Sequence, residues 1–141
     1  MKLPKKKKVT IGFPKSVKKK KVKSIRKALI KELDTLVKNW VKRRDEHICQ
    51  YCGVYCEGSN CHASHVIPVS HGQHLRFEPL NMKVLCYHHH LNWWHKNPTE
   101  AGKWFEKKFP ERMKFLNKEK MISRKLTDDE LVEQIALYKT M

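Results

Sequence analysis

Cys49-Gln50-Tyr51-Cys52-Gly53 and Cys86-Tyr87-His88-His89-His90 enclose 32 intervening residues, among them Cys61-His62-Ala63-Ser64-His65-Val66-Ile67-Pro68. The first motif is the two-cysteine turn that aims both sulfurs at one tetrahedral ion. Cys86 and His89 repeat its two-residue spacing. A structural zinc takes four protein ligands and keeps no open position, so Cys49, Cys52, Cys86 and His89 make a closed Cys3His set. His88 competes for the fourth place, but spacing favours His89. Cys56 and Cys61 lack that spacing and read as packing thiols. Ligation would couple metal-binding energy, on the order of 10 kcal/mol, to folding.

All five cysteines lie between Cys49 and Cys86, and all nine histidines between His47 and His95. Such a density belongs to metal sites and not to a disulfide framework, and it suits a reducing compartment. Residues 64–69 alternate as a short strand, with Ser64 and Val66 facing one way and His65 and Ile67 the other. Val84-Leu85 reads as the returning strand and Cys86 onward as the start of a helix. The predicted centre, 47–97, is therefore a hairpin followed by a helix, fastened at its base by zinc.

Outward from this centre the chain is cationic. Lysine and arginine number 31 against 14 acidic residues, a formal net charge of +17. That balance points to a polyanionic partner, most simply nucleic acid. Residues 1–24 hold 11 lysines and no acid, a composition that predicts a disordered arm. Its Pro4-Lys5-Lys6-Lys7-Lys8-Val9 segment also has the form of a nuclear-import signal, an alternative to a phosphate-binding role. A helix is predicted over 25–46, with Ser24 as N-cap and Ile25, Leu29, Leu33, Leu36 and Trp40 as the apolar stripe. Residues 98–141 predict further helices: Asn97-Pro98 opens one, Pro110 breaks or restarts it, and the capping box Thr127-Asp128-Asp129-Glu130 starts the last. No apolar run approaches the roughly 20 residues of a membrane span. No apolar stretch follows the basic start, so a secretory signal is not expected. A cytoplasmic location follows as the expectation.

The order His65, Asn81, His90 inside two zinc pairs, together with Leu75-Arg76-Phe77 and Leu80-Asn81, resembles the HNH (His-Me finger, ββα-metal) endonucleases. Within them the likeness is to phage-type members, including NinG-like recombination nucleases, and it covers roughly residues 47–98. The resemblance implies an α+β fold: a zinc-stabilised ββα-metal, treble-clef-like core flanked by N- and C-terminal helices, with 25–141 forming the nuclease domain. It also implies a metal-dependent DNA endonuclease, acting in the host cytoplasm if phage-encoded, that leaves 5′-phosphate and 3′-hydroxyl ends. His65 would be the general base, since imidazole titrates close to neutrality. Asn81 would orient the His65 ring, and His90 would bind a catalytic Mg²⁺, Mn²⁺ or other divalent ion.

Many relatives carry a metal ligand immediately before the base, where this chain has Ser64, a poor donor. His62 and His95 are the substitutes, although α-helical geometry puts His95 about 140° around from His90. Lys5, Lys6, Lys7, Lys8, Lys18, Lys19, Lys20 and Lys21 are the expected DNA contacts. Arg76 either joins them or pairs with Glu78. His71 and His74 read as solvated loop residues, and Trp93 and Trp94 as core. Paired cuts would need a homodimer or successive nicks. The same charge and zinc pairs would also serve a non-catalytic zinc-dependent nucleic-acid-binding module.

Overall fold

The computed structural model describes residues 15–141, with the side chains of 15–21 and Gln73 left aside. The first helix, α1, spans Lys15–Arg44. It thus begins well before Ser24, which lies inside it and is not its N-cap, and Lys15–Ser24 are helical, contrary to the disorder expected there. Lysine is a good helix former, and no proline or glycine falls between Pro14 and Gly53 to stop the helix. The stripe on its inner face also differs from expectation. Leu33, Val37 and Val41, at steps of four, are fully buried, while Ile25 stays 52% exposed. Leu29, Ile30, Leu36 and Trp40 pack at the edges of that core.

Two non-glycine residues in the left-handed region, Glu46 and His47 (φ 53° and 57°), turn the chain out of α1. An isolated bridge, Ile48 to Tyr55, then closes the cysteine turn. Strands β1 (Cys61–His65) and β2 (Met82–Cys86) pair antiparallel, with Cys61 opposite Cys86 and His65 opposite Met82. β1 lies three residues earlier than the expected 64–69 strand. All five residues of β2 are buried, because helices cover this small sheet on both sides.

A π-helix, His88–Trp94, follows at once, then α2 (Pro98–Lys108), α3 (Pro110–Glu119) and α4 (Asp128–Thr140). Pro98 and Pro110 open α2 and α3, as their missing N–H allows. The Asn97 side chain makes no cap bond, whereas the Thr127–Glu130 capping box is complete. α4 packs Leu131 and Ile135 against α1. Asp45 then ties α1 to the sheet, accepting from Arg44 Nε (2.7 Å) and from the Val84 amide (2.9 Å). Arg44 in turn donates to the carbonyls of Pro79 and Met82. The outcome is a mixed architecture of helices around one two-stranded sheet. No helix among the described residues is long and apolar enough to cross a membrane.

Candidate metal centre and histidine cleft

Cys49, Cys52, Cys86 and His89 converge, with their ligand atoms all within 4.8 Å of one another. Cys86 Sγ lies 3.1 Å and Cys49 Sγ 3.9 Å from His89 Nδ1. Around a tetrahedral zinc, sulfur and nitrogen ligands sit about 3.6 Å apart, so the donor set and its spacing fit that ion. The cysteine turn depends on Gly53, whose φ of 73° suits a residue without Cβ. It is closed by the Gly53 amide on the Cys49 carbonyl (2.8 Å) and docked on β2 by the Gln50 amide on the Val84 carbonyl (2.9 Å). Burial pushes the Cys49 thiol up, but the amides of Cys52, Cys86 and Tyr51 outweigh it and hold it below the ordinary thiol range. That favours the thiolate a zinc ligand needs. His88 is exposed and lies outside the four-residue cluster. Cys56 and Cys61 are buried beside it; desolvation and the neighbouring Cys61 thiol push Cys56 up to about 12, so it stays a protonated packing group.

A cleft of about 580 Å³ opens on the other side of the sheet's end, lined by His65, His90 and His95 together with Lys38, Trp94 and Lys120. His65 Nε2 lies 2.9 Å from the Arg76 carbonyl. A carbonyl only accepts, so Nε2 carries the proton and Nδ1 keeps its lone pair. Burial lowers the His65 pKa, aided by Lys38; the Arg76 carbonyl and Asp34 oppose this without reversing it.

His90 stands between two other imidazoles. Its Nδ1 lies 2.7 Å from His62 Nδ1, and its Nε2 lies 3.0 Å from His95 Nε2. Because His62 Nε2 donates to the Ser59 carbonyl (2.8 Å), His62 Nδ1 accepts from His90 Nδ1–H, which leaves His90 Nε2 unprotonated toward His95. Burial first, then the neighbouring His95 and His62, bring the His90 pKa down to about 4, so the ring is neutral near pH 7. The expected 140° separation of His90 and His95 does not hold. The segment winds as a π-helix, with the His95 amide on the His90 carbonyl (3.3 Å), and the i to i+5 repeat stacks the two rings.

The structure also corrects the expectations for Asn81, Arg76 and His74 and leaves Ser64 without a ligand role. Asn81 is fully buried and does not orient His65 directly. Its Oδ1 accepts from the Ile67 amide (2.8 Å) and its Nδ2 donates to the Ile67 and Leu75 carbonyls (3.0 Å each). It therefore closes the loop that carries the Arg76 carbonyl, and acts on His65 through that loop. Arg76 pairs with Asp34 of α1 through Nε (3.0 Å) and Nη2 (2.5 Å), and not with Glu78 or solvent. Ser64 is 1% exposed, opposite Lys83 in the ladder, with its Oγ unpartnered, so it is no ligand. His74, expected to be solvated, has both ring nitrogens shielded and faces Glu119 at 3.6 Å. Lys5, Lys6, Lys7 and Lys8 lie outside the described residues, as do the side chains of Lys18, Lys19, Lys20 and Lys21.

One residue had no signal in the sequence. Lys83 is fully buried on β2, its Nζ 3.2 Å from the centre of the Trp94 ring and without a hydrogen-bond partner. Desolvation, helped by Arg112, pushes its pKa well below the lysine range.

A cysteine turn, a hairpin and a helix that bring together a Cys3His cluster able to hold a metal ion, beside a histidine-lined cleft, define a small α+β protein. A family model described as Bacteriophage Lambda NinG protein matches residues 5–141, and the chain belongs to that family. No curated protein matches the chain, and no solved structure does either.

Proposed function

We propose that this chain is a metal-dependent HNH endonuclease that hydrolyses DNA phosphodiester bonds, leaving 5′-phosphate and 3′-hydroxyl ends. The observation that carries the reading is the meeting of His65, His90 and His95 in one cleft, with the His65 tautomer set by the Arg76 carbonyl. His65 Nδ1, the free lone pair, takes the proton of a water as its oxygen attacks phosphorus. His90 and His95 would hold the divalent ion, because they line the cleft with His65 and His62 does not. His62 then positions His90 by accepting its Nδ1–H, the outer-shell bond that ligating imidazoles need. When bound, the ion supplies Lewis-acid stabilisation of charge on the departing 3′-oxygen. Imidazole donors suit Mn²⁺ and other transition ions better than Mg²⁺, which prefers oxygen.

The test is incubation of zinc-loaded protein with supercoiled plasmid and branched DNA in Mn²⁺, Mg²⁺ or chelator, beside the His65→Ala variant. Metal-dependent nicking by the wild type should fall by ~10²–10⁴-fold in the variant, typical for loss of a general base. Zinc content and DNA binding should be unchanged. Equal nicking by the two preparations would remove His65 as the base. No cleavage under any ion would leave a zinc-dependent nucleic-acid-binding module.

A further inference from the structure

We infer that a nucleic-acid strand leaves the histidine cleft along the segment joining α3 to α4, its phosphates held by Lys38, Lys120 and Lys125. The inference rests on the proposed nuclease reading only in taking the cleft as the place where the scissile strand lies.

Three adjoining concavities carry the argument. The cleft takes Lys38 and Lys120 into its walls. A second, smaller concavity shares Lys120 and adds Arg124, Lys125 and His71. A third shares Lys125 and adds Arg26 and Arg76. The shared lysines make the three one continuous path, and no acidic side chain lines any part of it.

The basic groups along the path divide into two kinds. Arg26, Arg76 and Arg124 are paired with Asp128, Asp34 and Glu130, so those charges are satisfied within the molecule. Lys38, Lys120 and Lys125 form no ion pair among the described residues. Glu119, the remaining carboxylate near Lys120 in sequence, faces His74. The local potential is therefore positive, and uncompensated where the lysines stand.

The path also presents apolar side chains between its lysines. Met121 and Ile122 are 80% and 46% exposed on the wall of the second concavity. Alternating cations and exposed apolar groups match a strand that offers phosphates and the flat faces of sugars and bases together. The contacts are to the phosphodiester backbone, which a single strand and one strand of a duplex share.

The test compares Lys38→Gln/Lys120→Gln/Lys125→Gln with a control, Arg43→Gln/Lys107→Gln, whose two exposed cations line none of the three concavities. Binding of the zinc-loaded full chain to fluorescent single-stranded and duplex DNA is titrated over a salt series without Mg²⁺ or Mn²⁺. If all three lysines meet phosphates, the slope of log K against log salt becomes shallower by roughly 2.7 for duplex or roughly 2.1 for a single strand. The substrate whose slope changes identifies the source of the strand. The control should move the slope by less than about half a unit. A triple variant whose slope matches the control overturns the inference; Lys120→Glu/Lys125→Glu, with zinc content checked, repeats the test by charge reversal. The readout is independent of catalysis. A shallower slope with no cleavage by the wild type would sink the nuclease reading and keep the path, while cleavage with an unchanged slope would do the reverse.

Discussion

Asn81→Ala should be far more damaging than loss of one side chain suggests, because the residue closes a loop and touches nothing that reacts. Its amide makes three hydrogen bonds, to the Ile67 amide, the Ile67 carbonyl and the Leu75 carbonyl. Truncation orphans the Ile67 amide and carbonyl and leaves the Leu75 carbonyl with only the longer bond from the Glu78 amide (3.3 Å). A buried polar group left unpaired costs about 1–3 kcal/mol. The two Ile67 groups are partly buried and the Leu75 bond fully so, with the Glu78 amide still on that carbonyl, which gives about 2–4 kcal/mol in total. That is a large share of the roughly 5–15 kcal/mol that holds a domain folded. At roughly 3 °C per kcal/mol for a chain of this size, the Tm should fall by roughly 6–12 °C. Asn81→Asp is the sharper variant. It is isosteric and keeps the acceptor for Ile67, yet it turns a carboxylate on two carbonyls and should melt no higher than the alanine variant. Zinc-saturated protein followed by circular dichroism and calorimetry provides the measurement. A Tm within about 2 °C of wild type for Asn81→Ala, or an aspartate variant close to wild type, would refute the account of the loop.

Cys86→Ser should give sub-stoichiometric zinc by atomic absorption and lose cooperative unfolding, since the ligand set is coupled to folding; a full zinc complement with a wild-type melt would mean the quartet is wrongly assigned. Lys83→Met removes a group whose folded pKa lies below its unfolded value. In that window the unfolded chain binds the extra proton, so wild-type stability should rise with pH toward 10.5 by about 1.4 kcal/mol per unit, and the methionine variant should lose that slope. Urea unfolding at pH 7, 8.5 and 10 tests this, and parallel curves for the two proteins would contradict it. The depressed pKa of His65 keeps its base form populated below pH 6.5, so the acid limb of kcat/KM should have its midpoint under that value. A midpoint above 6.5 would argue against His65.

Much of the metal centre was legible in the sequence because its chemistry is local. A two-residue spacing and a following glycine determine where two sulfurs point, and Cys86 with His89 on one turn does the same. The starts of α2 and α3, marked by proline, and of α4, marked by its capping box, are equally short-range and stand where expected. What the sequence did not disclose depends on partners distant along the chain. Arg76 finds Asp34, 42 residues away, so the group that looked free for phosphate became a brace, and its carbonyl became the partner of His65. Asn81 has the residue type and order of an orienting side chain, but only the folded loop shows that it binds backbone. A helical period of 3.6 turned His95 away from His90, and the wider π-helical winding brings the two rings together. The start of α1 was hidden because a run of lysines has good helical propensity as well as the composition of a disordered arm. Lys38, Lys120 and Lys125 look like any solvated lysines in a cationic chain. Packing α1 beside the α3–α4 segment puts Lys38 and Lys120 on one cleft and Lys120 and Lys125 on the concavity next to it, because only tertiary structure decides which charges are paired and which are left facing solvent.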